Sequence, residues 1–304
     1  MDILNFNKKY LRSIRNNEQL VILNLHRISD DENPFYPSLS SKLFEELIKF
    51  VTKEFNVITF RRIDQFKKSQ KPNIILSFDD GFYDFFENAM PLLDKYNIRA
   101  NLNVIPQCVE SGKPVWDVML GDILNSASAD KINSIELPNF NMKLCHSNKG
   151  EYGLALTRYL KKLPKNKRGL LWSKFEKMGI EKNVKFTKML SREDVIEISN
   201  IHEVGVHSYS HESMGVESKD FFEIDFLKCK SYFDDCLNLP MNIYAFPSGS
   251  YKDGQVEFLR SNGIAHILLV GEGYSNYQTD EHYRFTFYAN SKSEVKLRAV
   301  GFHR

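Results

Sequence analysis

The 304-residue sequence has no apolar run near the about 18 residues that a membrane-spanning helix needs. Its opening stretch, MDILNFNKKYLRSIRNNEQL, also lacks the apolar core of roughly 7–15 residues that marks a secretory signal. A soluble, cytoplasmic protein is therefore expected. Cysteine is scarce, at positions 108, 145, 229 and 236, and no C-x-x-C pair suggests a zinc knuckle or a redox motif. Cys229 and Cys236 stand in a segment with helical pattern, and at about 1.5 Å of rise per residue they lie beyond disulfide reach. Unpaired, buried thiols are expected. Net charge is almost absent, 41 basic against 39 acidic side chains, so no global field draws the chain to nucleic acid. Internal repeats and low-complexity tracts are missing too, which leaves one globular domain of 304 residues as the default.

What is present alternates. The apolar runs LVILNL (20–25), VITF (57–60), NIILSF (73–78), RANLNVI (99–105), HEVGVHS (202–208), NIYAFP (242–247), AHILLV (265–270) and YRFTFY (283–288) read as strands. Helical patterns at 40–55, 84–96, 191–200, 218–237 and 254–263 separate many of them. Strands alternating with helices imply a parallel sheet, open or closed into a barrel, with sites at the carboxyl ends of the strands. Between 106 and 190 the rhythm breaks. That stretch, with one helix expected around 151–162, reads as an excursion over one face and not as a second core. Its basic cluster Lys161, Lys162, Lys165, Lys167 and Arg168 reads as a solvated surface in preference to an anion site.

Two short stretches carry chemistry. SFDDG (77–81) puts Asp79 and Asp80 at a strand's carboxyl end, where an ordinary Asp-Gly turn would also account for them. HSYSH (207–211) ends another strand with His207 and His211 four apart. Two imidazoles and a carboxylate, with a water in the open position, make a known catalytic zinc set, so the two strand ends can converge on one ion. HEVGVH (202–207) is a decoy for the H-E-x-x-H zinc-protease motif: its second His is one residue late, its segment is strand-like, and alternation turns His202 away from His207.

At these residues the chain resembles the polysaccharide deacetylases, the NodB-homology group or carbohydrate esterase family four. SFDDG is similar to the first motif of that family and HSYSH to the second, and FDDGFYDFFENAMPLLDKYNIRA, HEVGVHSYSH and NIYAFPSGSY follow in the family's order over most of residues 20–304. The resemblance implies a distorted (β/α)7 barrel and metal-dependent removal of an acyl group, usually acetyl from an N-acetyl sugar. By position it implies Asp79 as general base and Asp80, His207 and His211 as ligands of a divalent metal, zinc first. Ser208, between the ligands, supplies a supporting hydrogen bond or is a plain turn residue.

Two departures qualify the resemblance. The third motif, R-P-P-Y-G in many members, reads AFPSG (245–249) here, so Ala245 replaces the Arg that orients the base. Pro247 and Gly249 survive, and the backbone N–H of Ser248 is the candidate oxyanion donor. Arg284 in HYRFTF is the candidate substitute for the missing Arg and, with Pro247 and Trp116, makes up the expected substrate side of the site. No late catalytic histidine is evident, since His266 lies in a core-like run. LNLHRI (22–27) resembles the opening of a subgroup whose first strand supplies the general acid, which points to His26, with Asn24 in place of a Tyr. Trp116, beside Asp117, can stack on a sugar face or simply pack. The expected substrate is a glycan or lipid-linked sugar precursor, at the inner face of the membrane if lipid-linked. A deformylase of a formamido-sugar lipid and a catalytically silent glycan-binding barrel are the alternatives.

Overall fold

Strands buried on both faces need a sheet covered on both sides, and this chain meets that need by rolling the sheet up. In the computed structural model, which describes residues 3–31, 33–66, 69–181 and 184–302, eight parallel strands follow one another: β1 Leu20–Leu25, β2 Asn56–Val57, β3 Asn73–Phe78, β4 Asn101–Val104, β5 Glu203–Val206, β6 Ile243–Ala245, β7 His266–Val270 and β8 Glu281–Thr286. β1 runs beside β3 for its whole length, from Leu20 opposite Asn73 to Leu25 opposite Phe78. The ring continues from β3 through β4, β5, β6, β7 and β8, and closes where Leu23 and Asn24 meet Phe285 and Thr286.

Seven strands therefore form a closed parallel barrel, and β2 is an appendage. It pairs only with the start of β3 (Asn56 with Asn73), while β4 takes the end of the same edge (Ser77 with Asn101). The expected strand 57–60 is corrected accordingly: of these residues only Val57 belongs to a strand, and Phe60–Phe66 winds into a 3-10 helix. The last strand begins two residues earlier than 283. The helix expected over 84–96 opens as a π-turn, Phe85–Ala89, before the α-helix Met90–Lys95. Pro91 has no N–H for the regular ladder, so the wider turn at that point is its natural consequence.

The two-residue period sorts each strand between two environments. Val21, Leu23 and Leu25 face out to the helices, in one cluster with Phe44, Leu47 and Val51 of the helix Ser41–Glu54. Leu20, Ile22 and Ile75 face in, and with Phe60, Ile243 and Leu268 they fill the lower barrel. Higher up, the inward positions turn polar: Asn24 on β1, Ser77 and then Asp79 along β3, and Asn101 and Asn103 on β4 are all buried. A barrel plugged with hydrocarbon below and lined with hydrogen-bonding groups above has its chemistry at the carboxyl ends of the strands.

Residues 106–190 are mainly helical, with Pro106–Ser111, Trp116–Ser126, Ala129–Asn133, Lys149–Lys161 and Lys165–Glu181. The expectation that this stretch lacks a core is corrected: Leu120, Ile123, Leu156, Leu160 and Phe175 form an apolar cluster of their own. All four cysteines are free; Cys108 and Cys229 are buried, whereas Cys145 is exposed and Cys236 half-buried. Among the described residues no helix is long and apolar enough to cross a membrane.

Candidate active site

The first two motifs converge on a cavity of about 270 Å³ at the top of the barrel, lined by His26, Asp79, Asp80, His207, His211 and Ser248 among others. β3 delivers Asp79, whose N–H donates to the Leu25 carbonyl at 2.9 Å, and β5 delivers His207, whose N–H donates to the Val104 carbonyl at 2.8 Å. Four non-glycine residues here, Asp80, Ser208, His211 and Ser248, adopt left-handed φ of 78°, 56°, 56° and 55°. At roughly 1–2 kcal/mol each for an L-residue, such backbone persists only where the surroundings over-determine it.

Asp80, His207 and His211 offer one ligand atom each, all within 4.8 Å of one another and all buried. Asp80 Oδ1 lies 3.6 Å from His207 Nε2 and 3.4 Å from His211 Nε2. Ligands bound at about 2.1 Å in a tetrahedron stand about 3.4 Å apart, so this spacing fits a metal ion. The surroundings agree. His207 Nδ1 lies 2.9 Å from the Ala245 carbonyl, a bond that only a protonated Nδ1 can make and that leaves the Nε2 lone pair pointing inward. Ala245 thus meets His207 through its backbone carbonyl. Burial lowers the His211 imidazole to about 3, keeping it neutral as a ligand must be. Asp80 Oδ1 is buried with no hydrogen-bond partner among the described residues, a costly state that a cation would relieve. Asp80 Oδ2 accepts from the Tyr36 hydroxyl at 3.1 Å, and the Ser208 hydroxyl accepts from the His211 N–H at 2.8 Å.

Asp79 stands apart from this set. Arg284 Nη1 donates to Oδ1 at 2.9 Å and Nη2 to Oδ2 at 2.8 Å, while Asn103 Nδ2 adds a bond to Oδ1 at 2.8 Å. Arg284 is itself braced by Asn24 Oδ1 and the Ser77 hydroxyl, both at 3.2 Å. Burial alone would raise the Asp79 carboxyl, but the Arg284 guanidinium overrides it and holds the group far below the usual carboxylate range. Burial lifts the adjacent Asp80 to about 6, against the pull of His207 and with the push of the Asp79 charge. Arg284 is fully buried behind Asp79, so its expected place on the substrate side is corrected to one beneath the base.

The remaining expected residues divide. His26 follows β1 and borders the cavity; burial lowers its imidazole below 6.5, although the Asp79 charge opposes this. Ser248 borders the cavity; Pro247 is buried and does not line it, so its expected place on the substrate side is corrected. Trp116 does not line this cavity but a neighbouring cleft, a correction that follows from the helix Trp116–Ser126: Trp116 faces one way and Asp117 the other.

Asp117, Lys161 and Tyr36 are cavity residues that the motifs do not reveal. Lys161 Nζ lies 2.8 Å from Asp117 Oδ2 and donates to the Ser248 hydroxyl at 3.1 Å, so the last turn of Lys149–Lys161 latches the inserted helices onto the third-motif loop. Burial would raise Asp117, but Lys161 holds it at about 2. The reading of Lys161 and Arg168 as solvated charges is therefore corrected, since Arg168 is buried against Glu212.

A family model described as polysaccharide deacetylase matches residues 180–267. Among solved structures, the Streptococcus pyogenes deacetylase PplD in complex with acetate is similar at 17% identity and a TM-score of 0.62, over 93% of this chain and 98% of that one. IcaB from Ammonifex degensii is similar at 16% identity and a TM-score of 0.57, over 93% and 97%. A de-N-acetylase from Aggregatibacter actinomycetemcomitans is similar at 17% identity and a TM-score of 0.53, over 88% and 94%. Likeness at such identities establishes a shared barrel fold. No match is found among curated protein sequences.

Proposed function

We propose that this chain, which matches the polysaccharide deacetylase family over residues 180–267 and shares the fold of solved deacetylases, hydrolyses the N-acetyl group of a sugar in a glycan or glycan precursor. The supporting observation is that two adjacent carboxylates have unlike surroundings: Asp80 converges with two imidazoles, whereas Asp79 is clamped by Arg284. Asp80, His207 and His211 would hold a divalent metal, zinc being suited to this nitrogen-rich set. When bound, such an ion polarises an acyl carbonyl and brings the pKa of water towards about 7.

In this reading the side chains divide the remaining work. Asp79 stays ionised and, with Oδ2 at 3.8 Å from His207 Nε2, borders the space next to the ligands, where it accepts the proton of the attacking water. Arg284 and Asn103 fix the direction of its lone pairs. His26, across the same cavity, gives a proton to the leaving nitrogen, and the backbone N–H of Ser248 is the donor offered to the developing oxyanion. Four unpaired cysteines suit a reducing compartment, so the proposal extends to a cytoplasmic enzyme acting on a precursor, which cell fractionation tests.

The activity is tested by incubating metal-loaded protein with N-acetyl and N-formyl sugars and measuring the acid released. Acetate supports the reading, and formate alone redirects it to a deformylase. No acid above a metal-stripped control refutes an enzyme of either kind.

A further inference from the structure

The chain as a whole is almost neutral, yet its charge is unevenly spread. Residues 106–190 hold 15 basic and 8 acidic side chains, a net of +7, which leaves the remaining residues with 26 basic and 31 acidic, a net of −5. Such asymmetry within one chain points to an anionic partner for the basic part. The inserted helix Lys165–Glu181 shows where. Its inward side carries Arg168 and Phe175, both buried, while the opposite face presents Lys167, Leu170, Lys174 and Lys177, all exposed and three or four residues apart. Leu170, at 76%, is the most exposed large apolar side chain among the described residues. Lys174 Nζ donates to the Glu136 carbonyl, which leaves its charge uncancelled. The preceding helix, Lys149–Lys161, repeats the pattern: Leu154 is 57% exposed, with Glu151, Arg158 and then Lys162 on the same side.

Exposed leucines among uncancelled cations narrow the partner. Nucleic acid or another soluble polyanion would take the lysines and leave Leu154 and Leu170 in water. An anionic bilayer takes both, the lysines at its headgroups and the leucines at the boundary with the acyl chains. The helix Lys219–Ser231 is the contrasting case. Ile224 and Leu227 are 55% and 57% exposed there, but Asp220, together with Asp234 and Asp235 just beyond the helix, offsets Lys219, Lys228 and Lys230. That face has apolar groups without the charge to bring them to an anionic surface.

We propose that the outer face of the inserted helices is a docking surface for an anionic membrane. The proposal goes beyond the deacetylase reading and does not depend on it. Joined to that reading, it sets the metal cavity beside the lipid, where a sugar carried on a lipid would be presented, because Lys161 lines the cavity and the next residue, Lys162, belongs to the docking face.

Co-sedimentation of the whole protein with vesicles tests the docking surface without any turnover. The probes are equimolar phosphatidylglycerol–phosphatidylcholine vesicles and pure phosphatidylcholine vesicles. The protein should sediment with the first and not with the second, and should be released as salt rises from about 0.1 M to about 1 M, which shortens the screening length from about 10 Å to about 3 Å. The triple variant Lys167→Gln/Lys174→Gln/Lys177→Gln should lower the partition coefficient about hundredfold, at roughly fivefold for each lysine near an anionic surface. Leu170→Ser should lower it about tenfold. Lys219→Gln/Lys228→Gln/Lys230→Gln removes the same charge from the contrasting helix and should weaken binding far less. Equal binding of the unsubstituted protein to both vesicle types, or to neither, overturns the proposal whether or not any variant folds. Equal losses in the two triple variants overturn the location. Binding that Leu170→Ser leaves unchanged, matched by equal affinity for double-stranded DNA, overturns the membrane as partner and makes the face a general polyanion surface.

Discussion

Arg284→Met removes the cation from beneath Asp79 while keeping much of the side chain's volume. In the native protein both groups are enclosed, Arg284 completely and Asp79 at 2% exposure, and they share two bonds of 2.9 and 2.8 Å. Without Arg284 the carboxylate keeps one side-chain donor, Asn103, and faces burial with no formal positive charge bonded to it. Breaking one side of a buried ion pair costs about 3–5 kcal/mol, chiefly because the remaining charge is stranded. For a chain of 304 residues that lowers Tm by about 5–8 °C. Turnover should fall by roughly 10²-fold as Asp79 loses its fixed direction, with little change in KM. The Arg284→Met/Asp79→Asn double variant strands no charge, so it should recover at least half of the lost stability. Thermal melts of wild type and the two variants, with acid release from the same preparations, make the assay. A single variant as stable as wild type, or a double variant less stable than Arg284→Met, would refute the reasoning.

Three further outcomes are expected. Asp80→Ala, His207→Ala and His211→Ala should each lower metal content in the purified protein, since zinc is poorly held by two protein ligands; unchanged stoichiometry in all three by elemental analysis removes the site. Burial holds the His26 imidazole below its ordinary value, although the Asp79 charge opposes this, so free-enzyme activity should decline on the alkaline side as the proton is lost. His26→Ala should flatten that limb and depress kcat, whereas wild-type turnover with an unaltered limb returns the proton transfer to Asp79. At the base of the barrel, burial and the neighbouring His266 lower His282 to about 3, so its folded value lies below the unfolded one. Its stability contribution is complete above 6.5 and is lost as pH falls through that value towards 3, by about 2–3 kcal/mol at pH ~4.5. Urea melts should show His282→Asn losing less stability than wild type between pH ~7 and ~4.5.

The strand ends were legible because their signals are local. An apolar run followed by Asp-Asp-Gly, or by His-x-x-x-His, says in a few residues that a buried strand has stopped and polar chemistry begins. Arg284 lies 205 residues from the carboxylate it binds, and no spacing reveals that contact; it was reached through the family resemblance. Tyr36, Asn103, Asp117 and Lys161 had no comparable guide. Lys161 in particular belongs to a basic run whose members Lys162, Lys165 and Lys167 are indeed exposed, and only the folding back of its helix carries it into the cavity. The core of the inserted segment left a readable trace: Leu120, Ile123 and Leu124, like Leu156 and Leu160, recur at three- and four-residue spacing, the pattern of a buried helical stripe. The short β2 was misjudged for the opposite reason, because VITF has strand composition while β3 leaves it only a two-residue edge to pair with.

The measurement closest to the central claim compares metal content and acid release in Asp79→Asn and the unsubstituted protein. The substitution keeps the side chain's shape and removes the proton acceptor, leaving Asp80, His207 and His211 intact. Bound metal should be unchanged while acid release falls by roughly 10²–10⁴-fold, the usual worth of a positioned general base. Loss of metal from this variant, or turnover equal to that of the unsubstituted protein, would contradict the division of labour between the two aspartates.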